Sequence, residues 1–261
     1  AALTENIISP EKQILSTGQI RVPNPYDPAH PSIFKDWRAN GWVDARHAIA
    51  VSSDIYFYEV GGGYPGQAGL GIDLLEKYFR LFGFGTPPGL AGFNEPSGSI
   101  PSIVWRADNF PGDPWRVGDT YHTAIGQYGL TISPLQAVRE AAALANGGNL
   151  LTPLLIASST PSFSDLQLSE QNLQIVREGM RLGVTDGIAQ SVNFAFVHVA
   201  AKTGTAQVGA KNQYLNSWMI GFWPYEHPRY AYAVVLERGP AGTTIGAPSA
   251  PADSDSRPDS A

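Results

Sequence analysis

The sequence lacks cysteine altogether, so neither disulfide bonds nor thiolate chemistry is available to this chain of 261 residues. Charged residues are scarce at 15%, and the net charge of −6 argues against a nucleic-acid surface, so we expect no nucleic-acid partner. No run of about eighteen apolar residues occurs that could cross a membrane as a helix. The hydrophobic share of 43% is that of a globular protein with a full core.

Signatures of metal and nucleotide sites are also missing. The five histidines show no paired metal spacing, and His30 near Asp27 and Asp36 is more typical of a polar loop, so we predict no metal site. Residues 61–66 (GGGYPG) resemble a dinucleotide loop, but Pro65 would interrupt the helix that such a loop opens. The Gly-x-Ser-x-Gly elbow of a Ser-His-Asp hydrolase does not occur either, and we predict no cofactor.

The order of elements predicts an α+β fold, with helices first and strands last. Strand candidates lie at residues 194–200, 217–223 and 230–237, and three strands in succession favour an antiparallel meander. Residues 84–117 form a long Gly/Pro-rich passage whose aromatic residues argue against a linker. Apolar spacing and capping residues predict helices at 44–51 (N-cap Asp44), 70–82 (stop at Gly83), 133–146 (capping box of Ser133 and Gln136) and 169–183 (N-cap Ser169).

Composition divides the chain near its C-terminal end. Residues 247–261 consist mostly of Pro, Ser, Ala and Asp, and such a segment cannot bury enough apolar surface to order itself. We therefore predict a folded domain over residues 1–246 and a disordered tail over residues 247–261.

Lys202-Thr203-Gly204 follows the apolar run at residues 194–200, which predicts that the lysine lies in a buried strand. Beside a glycine, an extended peptide can lie against the strand by backbone pairing, while the ammonium and the hydroxyls of Thr203 and Thr205 hold a carboxylate. A solvated lysine at a strand end, with Gly204 as a bulge, is the alternative that the tripeptide alone favours.

Ser52-Ser53-Asp54 is the second informative element, because it joins the predicted helix at residues 44–51 to the aromatic run at residues 55–60. By itself this tripeptide is most typical of a helix C-cap followed by a turn. Its functional interest lies in its combination with Lys202.

Together the two elements match the second and third motifs of the penicillin-recognising serine acyltransferases, which also carry a Ser-x-x-Lys motif. Residues 40–57, 95–101 and 118–136 occur in the order seen in class B penicillin-binding proteins, and the sequence resembles their elongation type, penicillin-binding protein 2. The resemblance implies a β-lactamase-like transpeptidase fold, here incomplete, over residues 1–246. It also implies a D,D-transpeptidase that cross-links peptidoglycan stem peptides in cell-wall synthesis and is trapped by β-lactams. Such a protein would act with cell-wall elongation partners on the extracytoplasmic face of the cell membrane.

The resemblance implies a role for each residue of the two elements. Ser52 would relay a proton to the leaving group, and Asp54 stands where most relatives have Asn and the elongation type can have Asp. Lys202 would bind the terminal carboxylate of the substrate together with Thr203 and Thr205. The backbone N–H of Thr205 would form half of an oxyanion hole.

Two single residues bear on how closely the family pattern is followed. Gly204 would keep the strand surface open, and Tyr128 stands where the family usually has a second glycine, a change expected to alter only the loop.

In the family a serine heads a helix with a lysine one turn later, and residues 1–3 resemble the tail of that helix. We therefore expect a truncated start without the nucleophile, and a chain that is inactive alone. Residues 9–12 (SPEK) fit Ser-x-x-Lys as a pattern but lie too close to Ser52, and we predict a surface turn there.

The resemblance also implies a C-terminal helix after Gly246, for which we find no counterpart in the sequence, so we expect the sheet to lack its cover. Apolar residues such as Phe194, Phe196 and Tyr232 are then expected to be exposed. Two other functions fit the same motifs. One is a non-catalytic module that binds stem peptides or β-lactams, and the other is a β-lactamase or β-lactam sensor.

Overall fold

The computed structural model describes residues 1–24, 27–156, 160–209 and 213–239. Four short strands precede the first helix, so the expected order of helices first is wrong at the N-terminal end, whereas the strands of the largest sheet do come last. The helices are α1 (Ala45–Val51), α2 (Asp54–Gly62), α3 (Gly71–Leu81), α4 (Ile103–Asn109), α5 (Val117–Ala124), α6 (Pro134–Ala145) and α7 (Glu170–Thr185). The strands are β1 (Ile14–Ser16), β2 (Gln19–Val22), β3 (Ser32–Lys35), β4 (Gly41–Val43), β5 (Asn149–Leu151), β6 (Phe163–Asp165), β7 (Ala200–Val208), β8 (Tyr214–Trp223) and β9 (Tyr230–Gly239). This mixture confirms the predicted α+β class.

Local capping explains where the predicted helices begin. The side chains of Asp44 and Ser169 each accept a hydrogen bond from a backbone N–H in the first turn of α1 and α7. In α6, Ser133 and Gln136 form the predicted capping box, and Pro134 occupies the first helical position. The four predicted helices are therefore confirmed, with ends that differ by one or two residues.

The aromatic run at residues 55–60 forms most of α2, a helix that apolar spacing does not predict. Its residues are buried on nearly every side, so the helix lacks the polar face that produces a readable period. Its last turn packs closely on α5, and a Cβ on Gly61 would come within 2.4 Å of the Ala124 Cβ. The first two glycines of the 61–66 segment thus belong to a helix–helix contact.

β7, β8 and β9 form the predicted antiparallel meander in that order, with Lys202 opposite Ile220 and Gly204 opposite Trp218. One face of this sheet packs against α6 and α7. Its core cluster combines two sheet residues, Ala200 and Phe222, with the helix residues Leu144, Leu173 and Met180.

Most of the first predicted strand is absent: residues 194–199 run irregularly, and β7 begins only at Ala200, opposite Phe222. The alternation of apolar residues suggested a strand, but pairing with β8 does not extend that far. Val197 and Val199 instead pack into a cluster with Met219 of β8. Burial without backbone pairing therefore accounts for the apolar pattern.

Phe194 and Phe196 stack on each other with ring centroids 5.3 Å apart, and Phe196 is 85% exposed. The predicted exposure of these two phenylalanines is confirmed. Tyr232 differs, because its ring packs against Trp223 and the residue is half-buried.

The predicted tail at residues 247–261 lies outside the described residues. Within the described ranges, every helix is too short or too polar to reach across a bilayer.

Candidate functional site

The turn between α1 and α2 fixes the backbone of Ser52. Ser52 ends α1 with a φ of 54°, in the left-handed region that non-glycine residues rarely adopt. The N–H groups of Ser52 and Ser53 donate to the carbonyls of Ile49 and Ala48, at 3.3 and 3.0 Å. The Ser53 side chain then caps α2 by accepting from the N–H of Tyr56. The C-cap and turn that the tripeptide predicts are both present, and they hold Ser52 between two helix ends.

A buried carboxylate, Asp36, organises the same turn. Its oxygens accept hydrogen bonds from the hydroxyls of Ser16 and Ser53, both at 2.9 Å, and from the backbone N–H of Ile55 at 3.2 Å. The backbone N–H of Trp37 donates to the same carboxylate at 2.8 Å. Asp36 is 9% exposed, so this group of donors replaces its lost hydration.

Sequence reasoning misses Asp36, since its main partners lie about twenty residues away in both directions. In the sequence, Asp36 is only a weak candidate for a cation ligand near His30. His30 instead bonds to Asp27 at 2.8 Å. Among the described residues, no three His, Asp or Glu side chains gather as a metal site.

Trp37 stabilises the turn between α1 and α2 through a hydrogen bond of its side chain. Its indole Nε1–H lies 3.1 Å from the carbonyl oxygens of both Val51 and Ser52. These carbonyls belong to the C-terminal end of α1, where no intrahelical donor is available. Sequence patterns do not predict this contact, because Trp37 and Val51 lie fourteen positions apart in the chain.

Lys202 meets Ser52 directly. Its Nζ donates to the Ser52 Oγ at 2.7 Å and to the Thr203 carbonyl at 2.7 Å. The first contact joins segments that are 150 positions apart. The two motifs that the sequence singles out therefore form one site, and the alternative of a solvated lysine at a strand end is wrong.

The electrostatics of the site bring two groups close to neutral pH. Burial lowers the pKa of Lys202 to about 8, although the Asp54 carboxylate opposes this change. Burial raises the pKa of Asp54 to about 7, the Asp36 carboxylate raises it further, and the Lys202 ammonium lowers it. The Lys202 amine, which contacts the Ser52 hydroxyl, therefore has a pKa closer to neutrality than that of an exposed lysine.

The rest of the predicted carboxylate site lies along β7. Thr203 is 7% exposed, whereas Gly204 and Thr205 are exposed. Because side chains alternate along a strand, Thr203 and Thr205 leave the sheet on the face opposite Lys202. A Cβ on Gly204 would meet only the Trp218 Cβ, at an ordinary 3.6 Å, so the strand surface is open there.

Gln127 brings a third segment to this strand. Its side-chain Nε2 donates to the Thr205 carbonyl at 3.3 Å, which places the loop after α5 against β7. The sequence indicates this loop only through its resemblance to the family.

Neither Ser-x-x-Lys match has the geometry of a serine one helical turn from a lysine. At residues 9–12, the Lys12 N–H donates to the Ser9 carbonyl at 3.1 Å, and both residues are exposed, which confirms the predicted surface turn. The second match, at residues 32–35, forms β3. In a strand, positions three apart point to opposite faces.

Residues 1–7 contain one helical turn that ends in a Schellman motif. The Glu5 N–H donates to the Ala1 carbonyl and the Ile7 N–H to the Ala2 carbonyl, both at 2.9 Å, and Asn6 has a φ of 54°. The first residues therefore have the geometry of a helix end, as their sequence suggests.

Known proteins resemble this chain in sequence and in fold. The model of the penicillin-binding protein transpeptidase domain matches residues 1–252. Peptidoglycan D,D-transpeptidase MrdA of Haemophilus influenzae is 31% identical over 95% of this chain and 41% of its own length. The solved structure of penicillin-binding protein PBP2 from Helicobacter pylori is 32% identical, with a TM-score of 0.79 over 92% of this chain and 43% of that one.

A second structure from Helicobacter pylori, a complex between PBP2 and MreC, matches equally well, with 32% identity and a TM-score of 0.79 over 92% of this chain and 44% of that one. The chain thus spans less than half the length of these relatives. The TM-score of 0.79 shows that the matched part of each relative has the same fold as this chain. On the match of the domain model and these similarities, the chain belongs to the penicillin-binding protein transpeptidase domain family.

Proposed function

We propose that the protein to which this chain belongs is a peptidoglycan D,D-transpeptidase that cross-links stem peptides by serine acyl transfer. The observation that carries the proposal is the 2.7 Å contact between the Lys202 Nζ and the Ser52 Oγ. It combines a lysine of lowered pKa with a hydroxyl held by two helix ends, as proton transfer in acyl transfer requires.

Ser52 relays the proton to the leaving group, and Lys202 sets the charge of the site. The Asp54 carboxylate raises the pKa of Lys202 against the effect of burial, and so favours the protonated lysine. A protonated Lys202 attracts the terminal carboxylate of a stem peptide or of a β-lactam.

β7 supplies the remaining contacts. The Lys202 Nζ lies 2.7 Å from the Thr203 carbonyl, so the ammonium reaches back to the strand from its own face. The proposed carboxylate lies at this strand, where the hydroxyls of Thr203 and Thr205 approach it from the other face. The open surface at Gly204 admits an extended peptide. The backbone N–H of Thr205 contributes half of an oxyanion hole, where a tetrahedral intermediate develops its charge.

Acylation also needs a nucleophilic serine, and the two Ser-x-x-Lys matches lie in an exposed turn and in a strand. The proposed nucleophile is therefore none of the residues 1–261. The chain alone binds ligands without forming an acyl-enzyme, and the whole protein carries out the reaction.

The proposed setting is the extracytoplasmic face of the cell membrane, together with cell-wall elongation partners. The complex of the Helicobacter pylori relative with MreC supports the assignment of such partners.

Intact-mass spectrometry after incubation with benzylpenicillin tests the absence of the nucleophile. We expect no mass increase for the chain itself. A stoichiometric adduct that disappears in Ser52→Ala would make Ser52 the nucleophile and contradict its relay role. An adduct that disappears only in Ser9→Ala would assign the reaction to the turn at residues 9–12.

Ligand binding tests the site itself. An acetylated peptide ending in D-alanyl-D-alanine should bind the chain, and Lys202→Met should weaken binding roughly 10- to 100-fold, because a charge-assisted hydrogen bond is lost. Lys12→Met, at an exposed lysine, serves as the control and should bind as the unaltered chain does. Equal binding by Lys202→Met and the control would contradict the proposed site.

A further inference from the structure

The outer edge of β7 carries two carbonyls that accept hydrogen bonds from side chains. Lys202 donates to the Thr203 carbonyl at 2.7 Å, and Gln127 donates to the Thr205 carbonyl at 3.3 Å. In an antiparallel strand, the N–H and C=O of one residue point to the same edge, and so do those of the residue two positions on. Thr203 and Thr205 therefore share one edge.

That edge is the one away from β8. In the described part of the chain, β7 pairs only with β8 and ends the sheet. An extended peptide that adds to β7 would need the Thr205 carbonyl as an acceptor, since backbone pairing uses N–H and C=O groups in turn. Gln127 already occupies this acceptor.

The loop that presents Gln127 is held in an unusual backbone conformation. Gly126, Tyr128 and Gly129 all have positive φ, at 81°, 60° and 79°. Glycine adopts this region freely, but for Tyr128 it costs on the order of 1 kcal/mol. Contacts of the tyrosine side chain must offset that strain.

Those contacts come from an aromatic pocket. The Tyr128 ring lies edge-on to Trp105 and Trp115, with centroids 5.7 and 5.6 Å away, and the Arg106 guanidinium lies 5.4 Å from its centroid. Arg106 is itself buried and paired with Asp113. Gly129 also packs tightly here, because a Cβ on it would come within 2.5 Å of the Trp105 ring.

We propose that Gln127 is a specificity-determining residue whose side-chain amide imitates the N–H of a bound peptide at the Thr205 carbonyl. A ligand that pairs with this carbonyl must first displace Gln127, so the residue disfavours weak peptide ligands. The pocket around Tyr128 keeps Gln127 in place. This inference rests on the proposed function, because it assumes that an extended peptide binds along β7.

The test compares Gln127→Met, which keeps the volume but removes the donor, with Gln13→Met, at an exposed glutamine, as the control. The probe is the acetylated peptide ending in D-alanyl-D-alanine, with a set of analogues that are each N-methylated at one backbone amide. Gln127→Met should bind the peptide about 2- to 10-fold more tightly, which is the range for one net hydrogen bond. For the analogue methylated at the pairing amide, this gain should vanish.

Unchanged or weaker binding of the peptide by Gln127→Met would overturn the inference while leaving the proposed function intact. Equal gains for the peptide and for every methylated analogue would also overturn it. If neither variant nor the unaltered chain binds the peptide, the proposed function fails, and the inference fails with it.

Discussion

The two halves of the candidate site are positioned by different physical means. Ser52 sits in a short turn where Asp36 and Trp37 satisfy the backbone and side-chain groups around it. Lys202 sits on a strand whose place is set by pairing with β8, and burial shifts its pKa. The first half thus depends on a buried hydrogen-bond network, and the second on register and on desolvation.

This difference predicts different responses to substitution. A buried network loses stability when its acceptor is removed, because each donor then stays unsatisfied. The strand half should respond chiefly through protonation, since its main residues lie beside a partly open surface.

The largest effect is expected for Asp36→Ala. The hydroxyls of Ser16 and Ser53 and the N–H of Ile55 would lose their acceptor, and the free energy of unfolding should fall by about 3 kcal/mol or more. Urea unfolding gives this value, and Asp27→Ala, at a surface carboxylate, is the control with a change below about 1 kcal/mol. A loss no larger than that of the control would show that the network does not hold the turn.

A smaller effect should appear in the pH dependence of stability. The folded pKa of Asp54, about 7, lies above its ordinary value of 3.8, so the folded state binds the proton more tightly. Asp54 therefore contributes fully to the free energy of unfolding below pH 3.8, and this contribution is lost as the pH rises through 7. The decline in the free energy of unfolding should be on the order of 1 kcal/mol, because solvent at the partly exposed carboxyl weakens the effect. Asp54→Asn should remove this decline.

Lys202 should give the opposite slope at higher pH. Its folded pKa of about 8 lies below its ordinary value of 10.5, so the unfolded state binds more protons between these values. Stability should therefore rise with pH across that window, and Lys202→Met should remove the rise. Parallel curves for the unaltered chain and Lys202→Met would contradict the burial of this amine.

Tyr128→Phe should have little effect or stabilise the fold by up to about 1 kcal/mol, because the buried Tyr128 hydroxyl has no hydrogen-bond partner among the described residues. Thermal unfolding of the variant measures this change. A loss above about 1 kcal/mol would mean that the hydroxyl has a partner, such as a water molecule.

The smallest effect is expected for Phe196→Ser. Its ring is 85% exposed, so the free energy of unfolding should change by less than about 0.5 kcal/mol. Self-association should fall instead, since a stacked pair of exposed rings is removed. Sedimentation velocity at several concentrations checks this, and an unchanged association would exclude the phenylalanine pair as its cause.

The same contrast explains what the sequence could predict. Helix starts at Asp44, Ser133 and Ser169 follow from capping within four residues, and the meander follows from apolar runs separated by turns. The pairing of Ser52 with Lys202 required the resemblance, because no local rule joins residues 150 positions apart.

Other features depend on tertiary contacts alone. α2 has apolar residues on nearly all sides and so shows no period, and the irregular course of residues 194–199 depends on where β8 stops pairing. In the sequence, nothing distinguishes Asp36 from other loop carboxylates, because its contacts with Ser16 and Ser53 form only in the folded chain.

The most direct measurement of the central claim is an NMR titration of the Lys202 amine, with lysine side chains labelled and the signal assigned through Lys202→Met. We expect an apparent pKa near 8 and a shift of this signal when the acetylated D-alanyl-D-alanine peptide is added. A Lys202 amine that titrates at its ordinary value of 10.5 and ignores the peptide would contradict a buried Ser52–Lys202 site that binds a carboxylate.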